Sequence, residues 1–432
     1  RGPGDRAVPR AGAAAVTVAE RLDTRLAALA EISAGGPGVT RPSFGALERD
    51  AHAPVAAWAA QDGARAETDP AGNTVLIYGE GEPYLLVGSH LDSVPEGGRY
   101  DGTVGVLAGM EAAASVASER ELGMRVVIFS AEEGARFGRP CLGSELATGA
   151  APDGLLDGLR DGEGRSAADV AHESGLRPEA CPPWLRAPEV AAYLEVHIEQ
   201  GRVLERERVR LGVVDVIAGA ARLEVELGGR PEHSGTTPMD DRLDALTAAA
   251  EVVLEVERIG REARHGVATV GRLDVHPNSV TTVPGAVRLV VDVRDVDAGR
   301  QDEAAAAVRA AITRIAGARG TPVEVRELAS RAPGLLRAWP RRALAQACGE
   351  ERLPFRVLPS GAGHDAAVVA HTAPSALLFV PTPNGRSHTP DEACRTEDVA
   401  VACTVVARAL RRLDRDARGV ADPDLTTTTP EG

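Results

Sequence analysis

Several short apolar runs in the chain each lead directly to a histidine or to acidic residues. The pairs of run and polar residue are YLLVGS (84–89) with His90, RVVIFS (125–130) with Glu132 and Glu133, AAYLEV (191–196) with His197, and SALLFVP (375–381) with His388. Apolar runs of this length read as buried strands. Ligands of open α/β sheets bind beyond the carboxyl ends of the strands, so we expect these side chains to meet in one cleft.

Histidine and carboxylate side chains together form a ligand set for Zn, Mn, Co or Ni. Asp101 follows the first run in a glycine-rich loop, where the backbone can approach a ligand closely. Five protein ligands exceed the three of an ordinary mononuclear catalytic zinc site. A carboxylate shared between two ions accommodates all five. The residues therefore predict two divalent metal ions bridged by Asp101.

The adjacent acids Glu132 and Glu133 cannot easily point the same way. One can bind a metal ion while the other accepts a proton from an attacking water. Asp92, two residues after His90, can hold the second ring N–H of that histidine. Each piece alone has an ordinary explanation, namely an incidental histidine, a solvated acidic helix start or a polar strand–turn–helix corner.

Composition restricts the class of protein further. The 432 residues are enough for two or three domains, and the net charge of −15 disfavours a nucleic-acid or anionic-membrane partner. The sequence contains arginine but no lysine, which codon bias explains. No apolar stretch approaches the ~20 residues needed to span a bilayer. Five scattered cysteines without CxxC spacing indicate a reducing compartment, so we expect a cytoplasmic protein.

The order of patterns predicts an α/β catalytic domain, with a mixed sheet and the metal site at its strand ends, interrupted by a smaller domain. The insertion reads β-α-β-β-α-β, as in a ferredoxin-like α+β unit. The expected parts are a first catalytic segment 1–216 with 1–15 disordered, an inserted domain 217–329, a second catalytic segment 330–420, and a disordered tail 421–432.

Seven ordered motifs resemble the metal-dependent amidohydrolases of the peptidase M20 superfamily, in the branch of N-carbamoyl-L-amino acid hydrolases and allantoate amidohydrolases. The motifs are GSHLDSVPEGGRYDGTVGVLAG, AEEGARFGRPCLGS, YLEVHIEQGRVLE, EHSGTTPMDDRLDAL, PNSVTTVPGAVRLVVDVRD, PSGAGHDA and VPTPNGRSHTPDE, spanning roughly residues 72–400. The histidine of HIEQG is informative, because peptidase relatives usually carry an acid there.

The resemblance implies roles for individual residues. Asp101 would bridge two ions, with His90 and His197 completing one site, Glu133 and His388 the other, and Glu132 acting as the general base. The implied substrate contacts are Gln200, His233, Asn278, Arg294 and, in the PSGAGHDA loop, Gly363. The inserted domain would act as a lid and form a homodimer, in which His233 reaches the active site of the partner subunit.

Some of these residues also have structural interpretations. Arg294 can grip an α-carboxylate with two parallel hydrogen bonds, or form a salt bridge with Asp292 or Asp295. Asn278 can make a turn, and His233 can cap the SGTTP loop or stabilise a tetrahedral oxyanion. For Cys141 we expect a buried, small apolar role, with some sensitivity to oxidation.

The sequence thus predicts hydrolysis of the ureido C–N bond of N-carbamoyl-L-amino acids. Allantoate is the alternative substrate, because it also combines a ureido group with a carboxylate. An M20-type peptidase or deacylase is disfavoured by His197 and Gln200. A non-catalytic binding protein on the same fold is disfavoured because no expected ligand is missing.

Overall fold

A computed structural model of the chain describes residues 16–264 and 266–417. The disorder predicted for 1–15 and 421–432 lies outside these residues. The helices are α1 (Val18–Ala30), α2 (Ala46–Gln61), α3 (Thr103–Val116), α4 (Leu142–Thr148), α5 (Leu155–Gly158), α6 (Ala167–Glu173), α7 (Val203–Glu207), α8 (Ala245–Glu262), α9 (Ala298–Arg319), α10 (Ala338–Glu350), α11 (Asp365–Val369) and α12 (Thr396–Asp416).

The strands form two sheets. They are β1 (Arg65–Thr68), β2 (Thr74–Gly79), β3 (Tyr84–His90), β4 (Gly123–Phe129), β5 (Val190–Ile198), β6 (Leu211–Ile217), β7 (Gly219–Gly228), β8 (Val267–His276), β9 (Ala286–Asp295), β10 (Val323–Arg331), β11 (Gly334–Leu335), β12 (Phe355–Ser360) and β13 (Ser375–Val380).

The larger sheet has nine strands and is mixed. Its order is β1-β2-β4-β3-β5-β13-β6-β11, with β12 beside β6. The central strands β4, β3, β5 and β13 are mutually parallel, so their carboxyl ends lie at one edge. They are also almost wholly buried, as expected for strands covered by helices on both faces. The mixed α/β fold expected from the sequence is confirmed.

Helices cover both faces of the larger sheet. Residues of α1, α2, α3, α10 and α12 pack with one face in a large apolar cluster, and residues of α4 and α11 pack with the other. Helices α1 and α2 and the long C-terminal helix α12 were not predicted from the sequence. The last of these packs against α3, the helix that follows the Asp101 loop.

The smaller sheet is fully antiparallel, in the order β10-β7-β9-β8. Its elements follow the chain order β7-α8-β8-β9-α9-β10, which is the predicted β-α-β-β-α-β. Helices α8 and α9 pack with the sheet in a separate apolar cluster. The strand β10 runs to Arg331 and carries polar residues of the cavity described below.

Within the described residues, no helix is both long enough and apolar enough to cross a bilayer. All five cysteines are unpaired.

Candidate metal centre and active-site cavity

The four polar strand ends converge at the carboxyl edge of the larger sheet. The side chains of His90, Asp101 and His197 bring ligand atoms within 4.8 Å of one another, and those of Asp101, Glu133 and His388 do the same. The loop after β3 supplies Asp101, the turn after β4 supplies Glu133, and the loop after β13 supplies His388. The five residues predicted as metal ligands therefore lie together.

Asp101 belongs to both groups because its two carboxylate oxygens face different ligands. Oδ1 lies 3.4 Å from His90 Nε2 and 3.1 Å from His197 Nε2. Oδ2 lies 3.6 Å from His388 Nε2. Two ligands of one tetrahedral ion, each about 2.1 Å from it, are roughly 3.4 Å apart, so these separations suit two ions that share this carboxylate.

The orientation of two histidines directs their Nε2 atoms at Asp101, and His197 Nε2 also accepts the backbone N–H of Gly102 at 3.3 Å. His197 Nδ1 donates to the carbonyl of Ile198 at 2.9 Å, and His90 Nδ1 lies 3.2 Å from the carbonyl oxygen of Asp92. A proton held on Nδ1 leaves Nε2 unprotonated, which is the form that binds a metal ion. Both Nε2 atoms point at Asp101 Oδ1.

Negative charge is concentrated at this edge. Burial raises the pKa of Glu133 well above its usual range, and the nearby carboxylates of Asp101 and Glu132 raise it further. Among the described residues, Glu133 Oε1 is a buried atom without a hydrogen-bond donor. His388 Nε2 lies 3.5 Å from this oxygen. A buried carboxylate oxygen without a hydrogen bond is costly unless a cation faces it, so the residues fit a pair of divalent ions.

Glu132 lies beside the proposed ligands. Its Oε2 is 3.7 Å from His90 Nε2. Burial raises its pKa to about 7, while His90 opposes the shift. A carboxylate with a raised pKa next to a metal centre is suited to taking and returning protons near neutral pH.

Asp92 does more than orient a histidine. Besides its contact with His90, its Oδ1 accepts a hydrogen bond from the backbone N–H of Glu132 at 3.0 Å, and its Oδ2 accepts from that of Glu133 at 3.0 Å. The hydroxyl of Ser43 also donates to Oδ2, at 2.6 Å. One buried carboxylate thus fixes the first histidine and the acidic pair relative to each other.

A cavity of about 400 Å³ opens onto these groups. Of the predicted substrate contacts, Gln200, Arg294 and Gly363 line it. The amide of Gln200 donates to Asp101 Oδ2 at 2.6 Å. Arg294 makes the alternative salt bridge as well, because its Nε and Nη2 both lie 3.1 Å from oxygens of Asp292. The salt bridge and the cavity position therefore coexist.

His233 and Asn278 lie elsewhere. Both are exposed on loops of the smaller-sheet region and do not line the cavity of their own chain. His233 Nδ1 accepts a hydrogen bond from the backbone of Gly235 at 3.1 Å, within the loop that it was expected to cap. A single chain brings neither residue to its own metal ligands.

Sequence reasoning missed several residues around the site. Glu392 Oε1 accepts the backbone N–H of Asp101 at 3.0 Å. Ser387 Oγ lies 2.9 Å from Glu392 Oε2 and 2.9 Å from Asp101 Oδ2, so its one hydroxyl proton can be donated to either carboxylate. The sequence offered one signal for Glu392, namely its position four residues after His388 in the motif SHTPDE. Three more arginines line the cavity, namely Arg139, Arg222 and Arg331.

Cys141 has a polar contact that we did not expect. It is fully buried, as predicted, but its thiol donates to Glu132 Oε1 at 3.3 Å, so its environment is not purely apolar. Its φ of 63° lies in the left-handed region, where a residue with a Cβ is strained. Its pKa is raised well above the usual range by burial and by Glu132, so the thiol is protonated and able to donate.

Known proteins resemble this chain in sequence and in fold. Residues 86–412 match Peptidase family M20/M25/M40. An N-carbamoyl-L-amino acid amidohydrolase from Geobacillus stearothermophilus is 38% identical, covering 91% of this chain and 98% of that protein. A probable allantoate deiminase from Oryza sativa subsp. japonica is 33% identical, covering 88% of this chain and 85% of its own.

Solved structures agree with the sequence relatives. A hydantoinase/carbamoylase family amidase from Burkholderia vietnamiensis superposes with a TM-score of 0.86 at 32% identity, over 94% of this chain and all of that one. The match therefore extends over both sheets. Relatives of this kind are amidohydrolases that act on C–N bonds other than peptide bonds, and the chain is an enzyme of that class. The chain belongs to Peptidase family M20/M25/M40.

Proposed function

We propose that this protein is a two-metal amidohydrolase that cleaves the ureido C–N bond of N-carbamoyl-L-amino acids. The observation that carries the proposal is that a metal-ligand cluster sharing Asp101, a buried carboxylate with a raised pKa at Glu132 and the guanidinium group of Arg294 all border one cavity. A ureido group next to a carboxylate needs these three elements. The similarity to the Geobacillus amidohydrolase supports this substrate class.

The chain's residues divide between two metal sites. His90, His197 and Asp101 would hold one ion, and Asp101, Glu133 and His388 the other. Divalent ions bound there would polarise the scissile carbonyl and make water a better nucleophile at neutral pH. Their chemical identity among Zn, Mn, Co and Ni is left open by the ligand set.

Glu132 moves the protons of the reaction. It accepts a proton from the water that attacks the ureido carbon, and it donates that proton to the nitrogen that leaves when the C–N bond breaks. The thiol on Oε1 and the backbone contact to Asp92 hold this carboxylate in place. Arg294 orients the substrate by gripping its α-carboxylate, assisted by Gln200 and Gly363 at the cavity wall.

A homodimer would complete the site. His233 and Asn278 lie outside the cavity of their own chain, which is expected if the partner subunit presents them. The smaller-sheet region would act both as the dimer contact and as a lid over the cavity. The strand β8 supports this role because it is an exposed edge strand, with Val267 57% exposed. The unpaired cysteines favour the reducing cytoplasm as the compartment.

The direct test is ammonia release from N-carbamoyl-L-alanine, N-carbamoyl-L-methionine and allantoate, with Mn, Zn, Co or Ni added to metal-depleted protein. We expect metal-dependent release from the N-carbamoyl-L-amino acids. N-acetyl-L-methionine and a dipeptide serve as controls for deacylase and peptidase activity, and their hydrolysis is followed by the free amino acid that it releases. Hydrolysis of these controls alone would overturn the proposal.

Allantoate hydrolase is the second candidate function. It rests on the similarity to the probable allantoate deiminase and on the shared ureido and carboxylate groups. Faster release from allantoate than from any N-carbamoyl-L-amino acid would favour it.

A further inference from the structure

Part of the cavity wall is strongly cationic. Its guanidinium groups belong to Arg139, Arg222, Arg294 and Arg331, whose side chains are each between 21% and 28% exposed. Only one carboxylate of a monoanionic substrate needs to be held there. The wall therefore has more positive charge than the proposed reaction requires.

Strand pairing places two of these arginines on the same face of the smaller sheet. In the smaller sheet, Ala220 of β7 pairs with Arg331 of β10 on one side and with Arg294 of β9 on the other. Directly paired residues of antiparallel strands point to the same face. Arg331 and Arg294 thus flank the small side chain of Ala220, with backbones two strand spacings or roughly 10 Å apart.

The charge of Arg331 is not needed to neutralise its neighbour. Arg331 contacts the carboxylate of Glu145, but Arg139 already grips that carboxylate through Nε at 2.8 Å and Nη2 at 3.1 Å. A similar sharing occurs at Asp292, which receives both Arg222 and Arg294. Glu145 and Asp292 each contact two guanidinium groups, which is one more positive charge than each carboxylate needs for neutralisation.

The space between the two arginines is lined by small side chains. The neighbouring lining residues are Ala218, Ala220, Ala329, Ser330 and Ala362. They leave room for a substrate side chain, but they offer no large apolar surface to hold one. The negative charges of Asp101 and Glu133 would not neutralise the arginines, because the proposed metal ions would balance those charges.

We propose that Arg331 holds a second carboxylate and that the preferred substrates are N-carbamoyl-L-amino acids with an acidic side chain. This inference rests on the proposed function. With the α-carboxylate on Arg294, the side-chain carboxylate extends past Ala220 to Arg331. A charge-assisted hydrogen bond there favours the acid over its isosteric amide by about tenfold to a hundredfold in kcat/KM.

The test compares each acid with its amide. We expect N-carbamoyl-L-aspartate or N-carbamoyl-L-glutamate to exceed N-carbamoyl-L-asparagine or N-carbamoyl-L-glutamine in kcat/KM. Arg331→Met should lower kcat/KM for the acids more than for the amides, mainly by raising KM for the acids, so that acid and amide then differ by less than about threefold. Arg326→Met, on the same strand but paired with Glu224 outside the cavity, is the matched control and should keep the preference.

The outcomes separate this inference from the proposed function. Equal rates for acids and amides in the unmodified enzyme would overturn the second-carboxylate site and leave the ureido hydrolase intact. An equal loss for acids and amides in Arg331→Met, with metal content retained, would assign Arg331 a purely structural role and also overturn it. No hydrolysis of any ureido compound would overturn both.

Discussion

At the scale of single residues, the shared carboxylate of Asp101 organises the site. Its two oxygens face different histidines, and Glu392, Ser387 and Gln200 hold its backbone and side chain in that orientation. The residue types and spacing predicted that Asp101 bridges two ions, and this role stays a prediction. The supporting contacts were not predictable, because they join Asp101 to segments that lie 99, 286 and 291 residues away in the chain.

The first prediction concerns the bridge. Asp101→Ala removes a ligand from both proposed ions, so we expect the bound metal to fall from two ions per chain towards none. Metal analysis of the purified, dialysed variant measures this directly. Asp153→Ala, in an exposed loop, is the control and should retain the metal of the unmodified protein. Full metal content in Asp101→Ala would contradict the shared site.

The second prediction concerns the base. Glu132→Gln keeps the shape of the side chain but cannot accept a proton, so turnover should fall by about a thousandfold or more. Metal content should be unchanged, because Glu132 is not among the proposed ligands. Activity within a factor of a few of the unmodified enzyme would show that another group takes the proton.

The third prediction concerns Cys141 and its contact with Glu132. Cys141→Gly relieves the left-handed backbone but removes the thiol, so kcat should fall about threefold to tenfold while KM is kept. Cys141→Ser keeps a donor and should recover much of kcat. If the role of Cys141 is purely structural, the glycine variant should instead be as active as the unmodified enzyme.

At the scale of secondary-structure elements, parallel strands do most of the positioning. The strand ends of β3, β4, β5 and β13 were readable from their apolar runs, because buried parallel strands need continuous apolar sequence. The cationic wall of the cavity could not be predicted from the sequence. Arg222, Arg294 and Arg331 come from separate strands, and their common face follows only from the register of the smaller sheet.

The start of α3 supplies the fourth prediction. Gly102 has a φ of 61°, and a Cβ there would lie 2.5 Å from the His90 ring. Gly102→Ala should therefore displace a metal ligand and lower metal affinity. Gly154→Ala is a matched control, since its φ is 72° with open space around it, and it should lose only about 1 kcal/mol of stability while keeping metal. Calorimetric metal titration and thermal unfolding of both variants distinguish the two effects.

At the scale of the whole molecule, the proposed site extends over two subunits. The sequence relatives cover the full length of both sheets, which is why the fold could be anticipated from ordered motifs. The role of His233 in the partner subunit's site stays a prediction. His233 is exposed and does not line the cavity of its own chain.

The fifth prediction tests this sharing by complementation. Homodimers of Glu132→Gln and of His233→Ala should each be nearly inactive. Unfolding and refolding them together gives mixed dimers, each with one intact site, so about a quarter of the unmodified activity should return at equal concentrations. Sedimentation of the mixture confirms the dimer. The absence of recovery in dimeric protein would show that His233 does not act across the interface.

The central claim is that two metal ions held around Asp101 activate hydrolysis of a ureido bond. The most direct measurement is ammonia release from an N-carbamoyl-L-amino acid while Mn or Zn is titrated into metal-depleted protein, with bound metal determined at each point. We expect activity to rise with occupancy and to reach its plateau at two ions per chain. Full activity without metal, or no ammonia release at two bound ions from any ureido substrate, would contradict the claim.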